Sequence, residues 1–286
     1  MKIGLVLEGG AMRGMFTAGV TDVFMENGIV FDGLIGVSAG AAFGCNVKSR
    51  QIGRAIRYNK KYCADHRFVS YRSLVFTGNL YNVKFAYHTI PERLDPFDRE
   101  AFAANPLPMT VVATDVTTGR AVYHLCTDGG PEDIEWIRAS ASMPVVSRVV
   151  RIGEYSLLDG AFSDAIPFRY FQEHGYPRCV VILTQPAGYV KEPAKDLRRA
   201  RRALRRYPRM IAAMEDRHIR YNRMLAELAE EEKKGTVLAI RPPHALDADG
   251  VVREPERLEA VYQTGRSTGE EMLDAVRAFL CAARGE

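Results

Sequence analysis

Nowhere in these 286 residues is there an unbroken apolar run of about 18, the length a helix needs to cross a bilayer. A spanning helix is therefore not expected. Nor does the chain open with a charged segment leading into a long apolar one, so no secretory signal peptide is expected. Cysteine is sparse: Cys45, Cys63, Cys126, Cys179 and Cys281 are scattered, odd in number and without Cys-x-x-Cys spacing. They read as reduced thiols of a cytosolic protein and indicate no metal site. No repeat or low-complexity linker divides the chain. Two nucleotide signatures are missing as well. The phosphate loop Gly-x-x-x-x-Gly-Lys-Ser/Thr is absent, and the first strand-to-helix turn lacks Gly-x-Gly-x-x-Gly with a later acidic strand end.

What is present begins at once. Lys2-Ile3-Gly4-Leu5-Val6-Leu7 reads as a short buried strand and leads into Glu8-Gly9-Gly10-Ala11-Met12-Arg13-Gly14. An amphipathic stretch follows from about Met15 to Asn27, with Phe16, Val20, Val23 and Phe24 on one face and Gly28 as its C-cap. Paired glycines between strand and helix let backbone amides face an anion with no Cβ in the way. A second apolar run, 31–35, ends in Gly36-Val37-Ser38-Ala39-Gly40 and passes into helix-forming alanines. Flanking glycines allow the sharp turn that exposes a serine at a strand's carboxyl end and a helix's amino end, the nucleophile elbow. Of the uses open to the first loop, an oxyanion hole for Ser38 employs both loops. Its members would be Gly9, Gly10, Ala11, Arg13 and Gly14.

A protonated serine hydroxyl is a poor nucleophile and needs a base. None of the six histidines (His66, His88, His124, His174, His218, His244) sits in a recognisable loop motif. Tyr155-Ser156-Leu157-Leu158-Asp159-Gly160-Ala161 instead delivers an aspartate at the end of a short strand. Asp-Gly is also ordinary turn chemistry, so a capping or turn role competes for Asp159.

Together the three segments resemble the patatin-like phospholipases. That family carries a Gly-Gly-x-x-Arg/Lys-Gly loop, a Gly-x-Ser-x-Gly elbow and an Asp-Gly-Gly/Ala motif in this order. Ala113-Thr114-Asp115-Val116-Thr117-Thr118-Gly119 and Ala139-Ser140-Ala141-Ser142-Met143-Pro144 also look like family segments. The likeness covers roughly residues 1–185. Ala11 stands where the family often has a third glycine, which an amide donor tolerates. The resemblance implies a lipid acyl hydrolase with a Ser38–Asp159 dyad, no histidine, no metal and no diffusible cofactor. It also implies an acyl-enzyme intermediate and an Asp159 buried enough to raise its pKa toward the working pH. Arg13 would either keep the oxyanion loop in shape or serve as an ion-pair partner of Glu8 or Asp32. Two other readings stay open: a non-catalytic lipid-binding protein on the same fold, and a Ser-His-Asp esterase using His244.

Strands are expected at 2–7, 31–35, 109–115, 121–126, 154–158, 178–184 and 236–241. Helices are expected at 13–27, 39–48, 51–63, 132–141, 163–174, 256–283 and as one long element within 195–232. This alternation predicts a three-layer α/β fold with a mostly parallel central sheet flanked by helices. Residues 1–185 would form the catalytic domain, and 186–286 a helical C-terminal extension packed on the same core. Residues 64–94 are aromatic and turn-rich, fit for core packing or for an acyl-binding rim.

The remaining unusual segment is basic. From Lys195 to Arg223 eleven Lys/Arg face three Asp/Glu, a local charge of +8 in a chain of net +4. Lys195–Arg209 could dock on an anionic membrane or grip a phosphate headgroup. It could equally be a solvated face balanced by Glu227 and Glu230–Glu232; nucleic acid is disfavoured because no binding motif accompanies the charge. The expected setting is cytoplasmic, with peripheral membrane contact.

Overall fold

A computed structural model describes residues 1–284; residues 285 and 286 of the expected extension lie outside them. One mixed sheet contains β1 (Ile3–Leu7), β2 (Gly33–Val37), β3 (Met109–Asp115), β4 (Arg120–Cys126), β5 (Val150–Ile152), β6 (Tyr155–Asp159), β7 (Arg178–Ile182) and β8 (Val237–Ile240). Its order is β5-β6-β3-β2-β1-β7-β8, with β4 also paired to β3. The run β3-β2-β1-β7-β8 is parallel throughout, as expected. The β3–β4, β3–β6 and β5–β6 pairs are antiparallel.

Helices cover both faces. They are α1 (Gly14–Glu26), α2 (Ala39–Lys48), α3 (Arg54–Tyr62), α4 (Tyr71–Thr77), α5 (Arg99–Ala104), α6 (Pro131–Ser140), α7 (Phe168–Glu173), α8 (Arg198–Ala203), α9 (Pro208–Glu215), α10 (Arg217–Lys233) and α11 (Pro255–Arg284). Successive strand residues point to opposite faces. Leu5, Leu7 and Leu34 accordingly pack with Phe16 and Val20 of α1 and Leu258 and Val276 of α11. Val6, Ile35 and Val37 pack with Phe168 and Phe171 of α7 and Tyr221 and Leu228 of α10. The extension therefore shares the core of the first half, through β8 at the sheet edge and α11 against α1. Among the described residues no helix is long and apolar enough to cross a membrane.

Several boundaries differ from the sequence reading. The long helix within 195–232 is three, α8, α9 and α10. Pro208 lacks the amide a continuing helix would need, and Tyr207 before it is non-helical (φ −126°, ψ 67°). The helix expected at 163–174 shrinks to α7, because Pro167 opens it and a 3₁₀ turn occupies Gly160–Phe162. The expected start at 51 moves to Arg54, after Gly53 in the left-handed region. Strands β5 and helices α4 and α5 lay below the resolution of the sequence pattern. Within 64–94, Phe68 and Phe85 join Tyr62 and Ile90 in a satellite core, Tyr87 lines a cavity, and Tyr71 and Phe76 stand exposed.

The basic segment is anchored by its apolar residues. Ala200, Leu204 and Met210 pack on Val116, Leu158 and Phe162. Arg198 pairs with Asp196 and Arg201 with Glu215, while Arg199, Arg202, Arg205, Arg206 and Arg209 are exposed. The acids expected to balance it are engaged elsewhere: Glu227 and Glu231 with Arg169, Glu230 with Lys233 and Glu232 with Arg241.

Candidate active site

Strand β3 divides one edge between two partners. β2 runs parallel to it and ends with Val37 opposite Val112; β6 runs antiparallel and ends with Asp159 opposite Ala113. The two strands thus meet head to head, carboxyl end against carboxyl end, along β3. Ser38 is the next residue after β2, and Asp159 is the last of β6. Register alone brings together side chains 121 residues apart, and Ser38 Oγ donates to Asp159 Oδ2 at 2.7 Å.

Ser38 adopts φ 55°, ψ −121°, a conformation that non-glycine residues rarely occupy and that marks stored backbone strain. Its surroundings hold it there. A Cβ on Gly40 would lie 2.3 Å from the Leu7 carbonyl oxygen, and one on Gly36 would lie 2.6 Å from that of Gly40. Only glycine lets the three backbones come this close. The Ser38 amide donates to Ser140 Oγ at 2.8 Å, and that hydroxyl donates to the Val112 carbonyl at 2.6 Å. Ser140 thereby bridges the gap where the β2–β3 ladder ends.

Asp159 is completely buried. Its Oδ1 accepts the Ala161 amide at 2.9 Å, its own amide donates to the Ser142 carbonyl, and its carbonyl accepts Thr114 Oγ1. Burial raises the carboxyl pKa to about 6, against the lowering effects of the Ala161 amide, the Ser38 hydroxyl and the Arg217 charge.

The first loop lies across the elbow. A Cβ on Gly9 would strike Ser38 Cβ, one on Gly10 would strike the Thr184 side chain and one on Gly14 the Ala39 and Phe43 side chains. Ala11 has φ 49° and begins a 3₁₀ turn that ends at Arg13. Among the described residues the amides of Gly10, Ala11 and Ala39 donate to no protein acceptor. Arg13 pairs with the exposed Asp249 rather than with Glu8 or Asp32. Buried Glu8 instead accepts the Thr184 amide (2.6 Å), the Thr184 hydroxyl (3.1 Å) and the Tyr221 hydroxyl (2.5 Å), and burial raises its pKa.

Glu8, Gly9, Gly10, Ala11, Ser38 and Asp159 face one cavity of about 530 Å³, walled by apolar side chains such as Met12, Phe43, Tyr81, Ile90, Ile134 and Met143. No histidine lines it. His244 is exposed in the chain after β8, so the Ser-His-Asp arrangement is not assembled.

The order of the three motifs, their convergence and the shape of the cavity now meet an independent observation. Residues 5–171 match the patatin-like phospholipase family. The chain belongs to that family. Residues 207–281 match a domain of unknown function, DUF6363. The uncharacterized protein YjjU of Escherichia coli strain K12 is 28% identical over 298 residues, covering 98% of this chain and 79% of its own. Among solved structures, VipD of Legionella pneumophila aligns with a TM-score of 0.48 and 13% identity over 96% of this chain and 67% of its own. Human GIVD cytosolic phospholipase A2, in complex with methyl gamma-linolenyl fluorophosphonate, gives 0.48 and 11%. All of this chain is covered there, but only 60% of the human one.

In this patatin-like chain the sequence reading missed the supports of the site. Ser140 lies within a segment that already looked familial, yet only its two hydrogen bonds reveal a task. Lys191 and Arg217 also reach the cavity, Thr184 holds Glu8 behind it, and no local motif marks them. One cluster could hold a metal: His124, Cys126 and Asp133 bring ligand atoms within 4.8 Å of one another. Both Asp133 oxygens are already engaged, by three amides and by His124.

Proposed function

We propose that the protein hydrolyses carboxylic esters of lipids, with Ser38 as nucleophile and Asp159 as base. The observation that carries this reading is the 2.7 Å hydrogen bond between a strained serine and a buried carboxylate inside an apolar cavity. As Ser38 Oγ attacks the ester carbonyl carbon, its proton passes to Asp159. The carbonyl oxygen becomes an oxyanion held by the amides of Gly10, Ala11 and Ala39. Each such donor contributes roughly 3 kcal/mol when aimed at the developing charge. Collapse expels the alcohol, which takes the proton from Asp159 and leaves an acyl group on Ser38. Water then attacks the acyl carbon, again giving its proton to Asp159, and the acid departs as Ser38 regains a proton. A carboxylate is a weak base for an alcohol, and the raised pKa of Asp159 narrows that mismatch.

The same reading gives Arg13 the task of holding the loop through Asp249. It also gives the exposed arginines of Lys195–Arg209 peripheral contact with an anionic membrane, each cation near such a surface contributing about 1 kcal/mol. The experiment is turnover of a chromogenic acyl ester by the purified chain and by Ser38→Ala. Turnover by the wild type and none by the variant is expected. A wild type that binds long-chain lipids yet cleaves no ester would replace this reading with the lipid-binding one.

A further inference from the structure

Four cationic residues line the Ser38 cavity: Arg13, Arg54, Lys191 and Arg217. Arg54 is spent, on Asp95 and Asn46. The other three are not. Lys191 is fixed by α10, whose Asn222 side chain accepts the Lys191 amide at 2.8 Å and donates to its carbonyl at 3.0 Å. Its ammonium lies 4.6 Å from the Tyr221 ring centroid and 5.6 Å from that of Tyr189. Among the described residues it has no hydrogen-bond acceptor and no ion-pair partner. Arg217, the first residue of α10, donates from Nε to the Ala161 carbonyl at 3.1 Å and lies 4.4 Å over Phe162. Its two terminal nitrogens meet no acceptor among the described residues. Arg13 keeps a buried Nε donor that has no partner, although one of its terminal nitrogens reaches Asp249.

Unpaired cations in a partly buried wall are costly unless an anion joins them. The nearby carboxylates do not fill that place. Glu8 spends its oxygens on Thr184 and Tyr221, Asp159 on Ala161 and Ser38, and Asp249 stands in solvent with Arg13. We propose that Lys191 and Arg217 form an anion subsite of the Ser38 cavity that takes the phosphate of a net-negative lipid headgroup. The subsite selects anionic lipid esters over zwitterionic and neutral ones, because it offers several N–H donors and no spare carboxylate for a headgroup ammonium. The glycerol backbone puts phosphate and ester within a few bonds of each other, so one cavity serves both. This inference rests on the ester-hydrolase reading above.

The groups facing the Lys191 ammonium are Arg217, Glu8, Arg13 and Asp249, with the Tyr189 and Tyr221 rings. Burial, followed by the Arg217 charge, brings its pKa down to about 8. The preference for anionic esters should therefore fade as pH rises past that value and the ammonium is lost.

The test uses dihexanoyl phosphatidylglycerol and dihexanoyl phosphatidylcholine as dissolved monomers, which removes any effect of surface docking. The wild type is expected to favour the phosphatidylglycerol about tenfold or more in kcat/KM, the worth of one charged hydrogen bond. Lys191→Gln should bring the ratio close to one, chiefly through KM, and Lys191→Arg should keep most of it. Equal kcat/KM for both lipids in the wild type, with ester turnover intact, overturns the subsite and leaves the hydrolase reading standing. A second arm does not depend on turnover: calorimetric titration of Ser38→Ala with glycerol 3-phosphate and with inorganic phosphate. Tighter glycerol 3-phosphate binding, weakened about tenfold by adding Lys191→Gln, supports the headgroup assignment. Equal binding of both would mark a free-phosphate site, and binding of neither would mark no anion site; each result overturns the proposal.

Discussion

Asp133, in the first turn of α6, and Asp159, at the end of β6, are both buried carboxylates, yet their pKa values move in opposite directions. Burial pushes both upward. Asp133 answers it with four partners: the amides of Thr127, Asp128 and Gly129 on one oxygen, and His124 Nε2 at 2.9 Å on the other. Its pKa ends below the ordinary value. Asp159 has one amide and one hydroxyl, and its pKa ends at about 6. A carboxylate with its lone pairs filled holds a loop in place. One left short of donors can accept a proton near neutrality.

The two carboxylates differ most in what they do for activity. Asp159→Asn should lower kcat for a chromogenic ester by about 10²–10⁴-fold, the usual worth of a general base. Circular dichroism should hold and the unfolding midpoint should not fall. Asp133→Asn should behave inversely, retaining turnover below its unfolding temperature. An Asp133 variant that lost turnover while keeping its stability would erase the distinction.

Their pH dependences also carry opposite signs. Because the folded-state pKa of Asp159 is raised, its favourable contribution to stability is complete below the ordinary value of 3.8 and is lost as pH rises through about 6. Over that window the wild type should lose roughly 3 kcal/mol relative to Asp159→Asn, by denaturant titration at stepped pH. Turnover runs the other way: kcat/KM should rise through pH 6 as the base ionises. Asp133 has the opposite sign, its stabilisation being present above the ordinary value and lost as pH falls through its depressed one. Removing its charge by Asp133→Asn should cost about 2 kcal/mol at neutral pH. A smaller effect is expected from Ser140→Ala, which leaves the buried Ser38 amide without its acceptor. About 1–2 kcal/mol of stability and some tenfold in turnover should go, measured by unfolding midpoint and kcat.

Much of the fold was legible because its constraints are local. Gly36 and Gly40 announce the elbow, since no Cβ fits against the Leu7 and Gly40 carbonyls. The apolar runs of β3 and β7 announce strands covered on both faces. Asp159 could be nominated from its strand end, but Asp-Gly is common turn chemistry, and its neighbour is set by a register shared with β3 that no short window contains. Ser140 was hidden for the same reason: its hydroxyl serves a backbone 102 residues earlier. Lys191 is held by Asn222, 31 residues away, on a helix whose start at Arg217 was concealed inside a run of arginines. Pro167 and Pro208 did carry their usual meaning, and the helices expected across them were too long.

The most direct test of the account is mass spectrometry of the intact chain and its peptides after reaction with a fluorophosphonate. One adduct on Ser38 is predicted, forming faster as pH rises through about 6 in the wild type and at a low, pH-independent rate in Asp159→Asn. An unmodified Ser38, or labelling that ignores the loss of Asp159, would contradict the pairing of this serine with this carboxylate.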